Sequence, residues 1–421
     1  MQTILTFIAT VKSDRLDELK ALLQKIDQAP AGQYTNLPFA SLTNLHFASL
    51  VIFEDPLKNF DPYLVFENNF EGTLENHLDE LYRHGGVGLH EMYGHCLDYA
   101  ATGPQDKDGI LSFLRARVVR PDAYHIGNVG RSAERIRQEG ELKYGIERFL
   151  DDRVKRGLAQ GSPASIRNDI QEEVKRDQEL AILASNNKPR MTFAERFVPW
   201  ARLIGLGLLV LLLLPVLFPF IIIYLIALRI REKRDRSEIP PPVHGQVQQL
   251  MSREDRIVQN HMASLCYVKP GRFRRATIRF VLWVTNLVAR VSYKGKLSGL
   301  TTLHFAHWVL IDNGHRLLFL TNYDGSWENY LDDFIDKAAL GLTGIWSNTE
   351  DFPRTRFLVF GGARDAPRFK AIARHTQAYT NVWYSAYPRL TVRSIDNNSA
   401  IHEDLLKPLD ETATRRWLWR F

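Results

Sequence analysis

The chain has 421 residues, 54 Lys and Arg against 48 Asp and Glu, and a formal charge of +6, with an isoelectric point near 9.1. That length accommodates two or three domains with cores of their own, and the modest basic excess suits an anionic membrane surface as well as nucleic acid. Two cysteines, Cys96 and Cys266, are too few for a disulfide framework and fit a reducing compartment.

The first elements read clearly. Thr3 to Val11 is rich in β-branched residues and predicts a strand, without the basic start and long apolar run of a signal peptide. Asp14 to Ile26 carries Leu16, Leu19, Leu22 and Leu23 at helical spacing. Leu45 to Phe53 and Tyr63 to Phe66 read as strands joined by a turn that holds Asp55, Pro56, Asn59, Asp61 and Pro62. A helix begins at the N-cap Thr73, and Gly109 to Val119 is expected to be the last strand of this half. The run Tyr124 to Ser132 is Gly-rich and leads a helix to Asp151, and Ser162 to Asn187 is a polar helical connector.

From Leu203 to Leu228 there are 26 residues without a charge. A straight helix of that length is about 39 Å long and crosses a hydrocarbon core of about 30 Å once. Pro215 and Pro219 sit near its middle, and cations lie on both sides: Lys188, Arg190, Arg196 and Arg202 before, Arg229, Arg231, Lys233, Arg234 and Arg236 after. A hairpin or a single helix is expected here, and kinking prolines between two basic flanks favour the hairpin, with both ends on the cytoplasmic side. Pro240-Pro241-Pro242 then forms a stiff break. Arg272 to Arg290 reads as a basic amphipathic helix suited to a membrane interface, and the C-terminal Trp417 and Trp419, set among arginines, resemble interfacial anchors.

Beyond the linker the first pattern returns: strand Met262 to Val268, a helix from Arg272, strands Leu303 to Ile311 and Arg316 to Thr321, a helix from Ser326 and a strand Arg356 to Phe360. Residues themselves repeat, Leu45-His46-Phe47-Ala48 as Leu303-His304-Phe305-Ala306, and Asn69-Phe70-Glu71-Gly72-Thr73 as Asn322-Tyr323-Asp324-Gly325-Ser326. Such recurrence marks a duplicated unit. The expected organisation is therefore repeat one with its C-terminal helix (1–160), a helical connector (161–196), a membrane segment (197–230), a basic, Pro-rich linker (231–257) and repeat two (258–421).

Each copy reads β-α-β-β-α-β, the ferredoxin-like order, so the fold class is α+β. Two such units with one bare sheet face each can cover one another, which resembles the dimeric α/β-barrel superfamily that includes dye-decolourising peroxidases, chlorite dismutases and small monooxygenases. The resemblance implies an intramolecular barrel enclosing a hydrophobic ligand, or a haem. Asp324-Gly325 is similar to the end of the Gly-x-x-Asp-Gly motif of the peroxidases, whose Asp serves the distal haem pocket; Thr321 stands where the first Gly would be, and Asn68 in the other copy. The resemblance thus implies distal acids Asp324 or Glu71 and an iron ligand His125, with oxidoreductase chemistry of peroxidase or monooxygenase type if the protein is an enzyme.

Other candidates come from the residues directly. Gly127, Gly130, Arg131 and the capping Ser132 open a helix and can hold an anion, with Arg389 at a comparable place in the second copy. His46 and His304 recur on paired strands and Asn69 and Asn322 on paired loops, while Tyr93 and His95 belong to a His90 to His95 string. Its histidines are five apart, about 140° around a helix, so they do not share the face that zinc needs, and no metal is expected. No nucleotide loop, nucleophile elbow or nucleic-acid motif occurs. The functional expectation is a membrane-associated protein that binds or acts on a hydrophobic, anionic, lipid-like molecule, with Arg131 and the Asn69 and Asn322 loops at its polar end. A haem peroxidase-like oxidoreductase and a non-catalytic membrane scaffold are the alternatives, either one compatible with a homo-oligomer.

Overall fold

The computed structural model describes residues 2–55, 59–158, 161–185, 193–238, 244–254, 258–291 and 299–421. Pro56, Lys188, Arg190 and the Pro240-Pro241-Pro242 break lie outside the described residues. The first half contains β1 (Gln2–Thr10), α1 (Leu16–Gln28), β2 (Leu45–Phe53), β3 (Tyr63–Glu71), α2 (Leu74–Tyr93), α3 (Lys107–Arg117), β4 (Val118–Val119), β5 (Ala123–Ile126) and α4 (Ala133–Lys155). Four helices follow: α5 (Pro163–Arg176), α6 (Gln178–Ser185), α7 (Phe193–Arg234) and α8 (His244–Met251). The second half holds β6 (Gln259–Tyr267), α9 (Arg272–Val291), β7 (Leu303–Ile311), β8 (Arg316–Asp324), α10 (Trp327–Trp346), β9 (Thr355–Arg356), β10 (Phe360–Gly361), α11 (Ala366–Thr376), β11 (Gln377–Ala378), β12 (Thr380–Ser385), α12 (Val392–Asp404) and α13 (Glu411–Leu418).

The fold is α+β, with two five-stranded antiparallel sheets and one long apolar helix. The first sheet has the order β12-β2-β3-β1-β4 and the second β11-β6-β8-β7-β5. Each sheet is therefore completed by a strand from the other half. Strand β12 pairs with β2 (Tyr384 opposite Ala48), and β5 pairs with β7 (His125 opposite Ala306). The same turn serves both halves at the end of the third strand: Gly72 and Gly325 adopt positive φ (99° and 82°), after which Thr73 accepts from the Asn76 amide and Ser326 from the Asn329 amide to start α2 and α10.

Helices α1, α2 and α3 cover one face of the first sheet over Leu19, Leu23, Phe66 and Leu78, and the second sheet has its own core around Trp308, Phe319 and Trp346. The remaining faces meet each other. Val51, Phe53 and Val65 from one sheet pack against Ala263, Val309, Leu318 and Leu320 from the other. Because β2 is covered on both faces, Leu45 to Phe53 is an unbroken buried run with no polar alternation.

Several expectations are corrected. Residues Gly109 to Val119 form helix α3 rather than a strand, since the Asp106 carboxylate caps the Gly109 amide and Ile110, Leu111 and Leu114 share one buried face; only Val118 and Val119 pair with β1. Arg356 to Phe360 is not the edge of the second sheet. It belongs to the separate β9–β10 hairpin, and β11 takes the edge beside β6. The apolar segment is not a hairpin but one uninterrupted 42-residue helix, α7, running through Pro215 and Pro219. Each proline removes one backbone bond, and the bonds on either side hold the helix together. Of the two C-terminal indoles, Trp417 is buried and donates to the Ile401 carbonyl, so only Trp419 is exposed.

Candidate functional site

The residues that recur between the halves sit together and support helices. Asp324 accepts from His304 Nε2 at 2.8 Å and from the Val392 amide at 2.8 Å, so it caps α12. Glu71 accepts from the Ala133 amide at 2.7 Å and lies 3.4 Å from His46 Nε2, so it caps α4. Burial opposes ionisation of Glu71, but the bonds from His46 and Ala133 prevail and hold its carboxyl below the ordinary range. Burial pushes His46 down in spite of Glu71. The Tyr387 hydroxyl lies 2.9 Å from His46 Nδ1, and Phe47, Phe305 and Tyr387 fill the space between the histidines.

Asn69 and Asn322 do converge, on a residue absent from the expectation. Glu67 lies on β3 between the two sheets, fully buried, and its Oε1 accepts from Asn69 Nδ2 at 2.9 Å and Asn322 Nδ2 at 3.2 Å. Its Oε2 accepts from Ser49 Oγ at 2.9 Å and His261 Nε2 at 3.0 Å. Burial alone would raise this carboxyl; the hydrogen bond and charge of His261, the charge of His307 and the Asn69 bond overcome it and hold the group at about 2. His307 stands 3.6 Å from Oε1 through Nδ1 and 3.0 Å from Thr6 Oγ1 through Nε2. Its burial outweighs the pull of Glu67 and lowers it to about 4, so at neutral pH the 3.6 Å approach is not an ion pair.

His261 connects this buried cluster to an open groove of about 800 Å³. Phe39, Trp383 and Tyr384 provide aromatic lining, Gln259, Thr380 and Ser385 polar lining, and Arg137 and Arg253 the cations. Thr380 Oγ1 lies 2.8 Å from His261 Nδ1, and Trp383 Nε1 donates to Asn322 Oδ1 at 2.8 Å. The groove's carboxylates are engaged, Asp27 by Arg253 and Glu254 by Arg374. Arg137, half-buried on α4, makes no hydrogen bond or ion pair among the described residues, although its charge is felt by His46, Tyr384 and Tyr387. The result is an aromatic-walled groove with one uncommitted guanidinium.

The other expected residues lie elsewhere. Arg131 is held by Asp396 at 2.5 Å, and Arg389 is exposed. His125 is buried on β5, and neither it nor Asp324 lines the groove. Tyr93 packs against Tyr99 and Phe113, His90 Nδ1 lies 2.9 Å from the Tyr99 hydroxyl, and His95 Nδ1 donates to the Glu91 carbonyl. Among the described residues no three His, Cys, Asp or Glu side chains are grouped to hold a metal ion. A signal for the missed cluster existed. In the register of the recurring residues, Glu67 corresponds to Leu320 and His307 to Ser49, so these are positions where the two segments differ.

In comparisons with known proteins, no family model matches this chain, and neither does any curated protein.

Proposed function

We propose that the chain is a membrane-attached protein that holds an amphipathic, anion-bearing small molecule in the Arg137 groove. Its frame is read as two tandem ferredoxin-like units paired through their sheets, in the manner of the dimeric α/β-barrel superfamily. The shared strand order, the shared Gly-Thr/Ser turns and the exchange of β5 and β12 support that reading. Membrane attachment is supported by α7, whose most apolar 18-residue stretch, within Trp200–Arg234, has none of its residues buried, unlike the core helix of a soluble protein.

The observation that carries the ligand reading is Arg137. A guanidinium left without a carboxylate, beside Phe39, Trp383 and Tyr384 in a groove of ligand size, is suited to a carboxylate or phosphate head with an apolar body. The peroxidase alternative has less to rest on, because Asp324 is committed to His304 and α12, and His125 does not line the groove.

The test is binding of a fluorescent long-chain fatty acid to the detergent-purified protein. One lost charge-assisted hydrogen bond costs about 1.5–3 kcal/mol, so Arg137→Gln is expected to weaken binding roughly 10- to 100-fold. Arg131→Gln, already tied to Asp396, should change it little. Equal affinity in wild type and Arg137→Gln, or no binding by wild type of either a fatty acid or an alkyl phosphate, overturns the reading.

A further inference from the structure

Helix α7 is long enough to cross a bilayer, yet its C-terminal end and the helix that precedes it in the chain, α6, both pack on one body. At its C-terminal end Leu228 is buried, and Glu232, also buried, accepts from Thr355 Oγ1 at 3.0 Å and from the amides of Phe357 and Leu358 at 2.8 and 2.9 Å. At the other end, α6 packs through Leu180 into a core with Leu142, Ile146, Ile401 and Trp417. The body itself is continuous, because each sheet contains a strand from the other half.

Covalent reach then decides the topology. Eight Cα steps separate Ser185, the last residue of α6, from Phe193, the first of α7. Fully extended they span about 29 Å. If α7 stood across the membrane, Phe193 would lie about 15 Å beyond Leu203, on the far side of about 30 Å of hydrocarbon. The link to α6 cannot return that distance, and it carries Lys188 and Arg190.

We infer that α7 does not cross the membrane but is embedded along one leaflet, with both ends on the same side. This inference rests on the membrane reading above. Two neighbouring elements enter the same leaflet. Helix α9 runs antiparallel to α7: Arg231 lies over the Phe273 ring, and Tyr224 stacks on that ring and donates to Thr277 Oγ1 at 3.2 Å. Further along, α9 exposes Phe280, Trp283, Val284 and Val288 on one stripe, with Arg272 and Arg279 exposed near its start. Phe357, Val359 and Phe360 at the β9–β10 tip are exposed beside Glu232. Apolar groups flanked by arginines match an anionic bilayer: acyl chains take the side chains, and phosphates the guanidinium groups.

The test uses full-length protein with single added cysteines, the native Cys96 and Cys266 being buried. Ser185→Cys and Glu238→Cys are reacted with a membrane-impermeant maleimide in sealed inside-out vesicles and in intact cells. Both sites are expected to label in the same preparation and to be protected in the other. Labelling from opposite sides overturns the one-leaflet topology while leaving membrane attachment intact; recovery of the protein in the soluble fraction overturns both. In the same vesicles, an environment-sensitive probe on Trp283→Cys or Val359→Cys is expected to shift to the blue and to be quenched by nitroxide lipids. A probe that stays water-like at both positions removes α9 and the hairpin tip from the surface.

Discussion

At the scale of single residues, buried histidines set the acid behaviour of the protein. His307 is lowered to about 4 and His77, stacked on Phe70 and 3.0 Å from Asn68 Oδ1, to about 3, in both cases by burial. Unfolded imidazoles take up a proton near 6.5 and these two do not, so below about pH 6.5 the unfolded state binds more protons and stability falls. Each imidazole contributes a slope of up to about 1.4 kcal/mol per pH unit, ending near pH 4 for His307 and near pH 3 for His77. Urea denaturation between pH 7 and 5 is expected to show this loss. His77→Gln should remove one proton's share of the slope; an unchanged slope would mean that His77 titrates normally. Glu67 acts in the same sense, but at lower pH. Its stabilisation is complete above about 4.5 and is lost only as pH falls through about 2. Glu67→Gln sets an amide NH₂ against Asn, Ser and His donors, and breaking a buried charged network in this way costs about 3 kcal/mol. A drop of that order in detergent-solubilised unfolding free energy is expected, and a neutral result would show that the cluster rearranges freely.

At the scale of elements, the decisive contact is between the end of α7 and the β9–β10 hairpin. Phe357 and Leu358 both adopt positive φ (56° and 59°), a conformation disfavoured for such side chains. The Glu232 carboxylate holds them there through their two amides. Without it, those donors and Thr355 Oγ1 lose their partner. Glu232→Ala is therefore expected to raise hydrogen exchange at the Phe357 and Leu358 amides on the order of 100-fold, at about 1.4 kcal/mol per factor of ten. Protection that stays at the wild-type level would show that the hairpin holds itself. Elements of this kind were only partly legible in the sequence. Amphipathic periodicity located α1, α2, α9 and α10, and the Gly-Thr and Gly-Ser turns marked the starts of two of them. Segment 109–119 misled because its β-branched end outweighed a cap visible at Asp106. Glu67, His261 and His307 escaped because they come from three strands in two halves, and no spacing along the chain records their meeting.

At the scale of the molecule, the exchange of strands makes the halves dependent on each other. Neither sheet is complete within its own half: β2 would present a bare edge without β12, and β7 without β5. The sheet faces joined through Val51, Val65, Val309 and Leu318 would also be open to water. An apolar edge next to an apolar face is a template for aggregation. Residues 1–185 expressed alone are therefore expected to be insoluble. The strands of both sheets all lie before the end of α6 or after the end of α7, so breaking the chain between those helices should cost only connectivity. Co-expressed as 1–188 and 189–421, the two pieces are expected to co-purify from detergent as one complex. Shortening the second piece to end at Tyr379 removes β12 together with α12 and α13, and should abolish co-purification; substituting Val382 and Tyr384 by Asp, which leaves the fragment whole, should do the same. If 1–185 alone were soluble and monomeric, or if the β12 substitutions left the complex intact, the sheets would be self-sufficient and the pairing of the halves would have to rest on the helices around them.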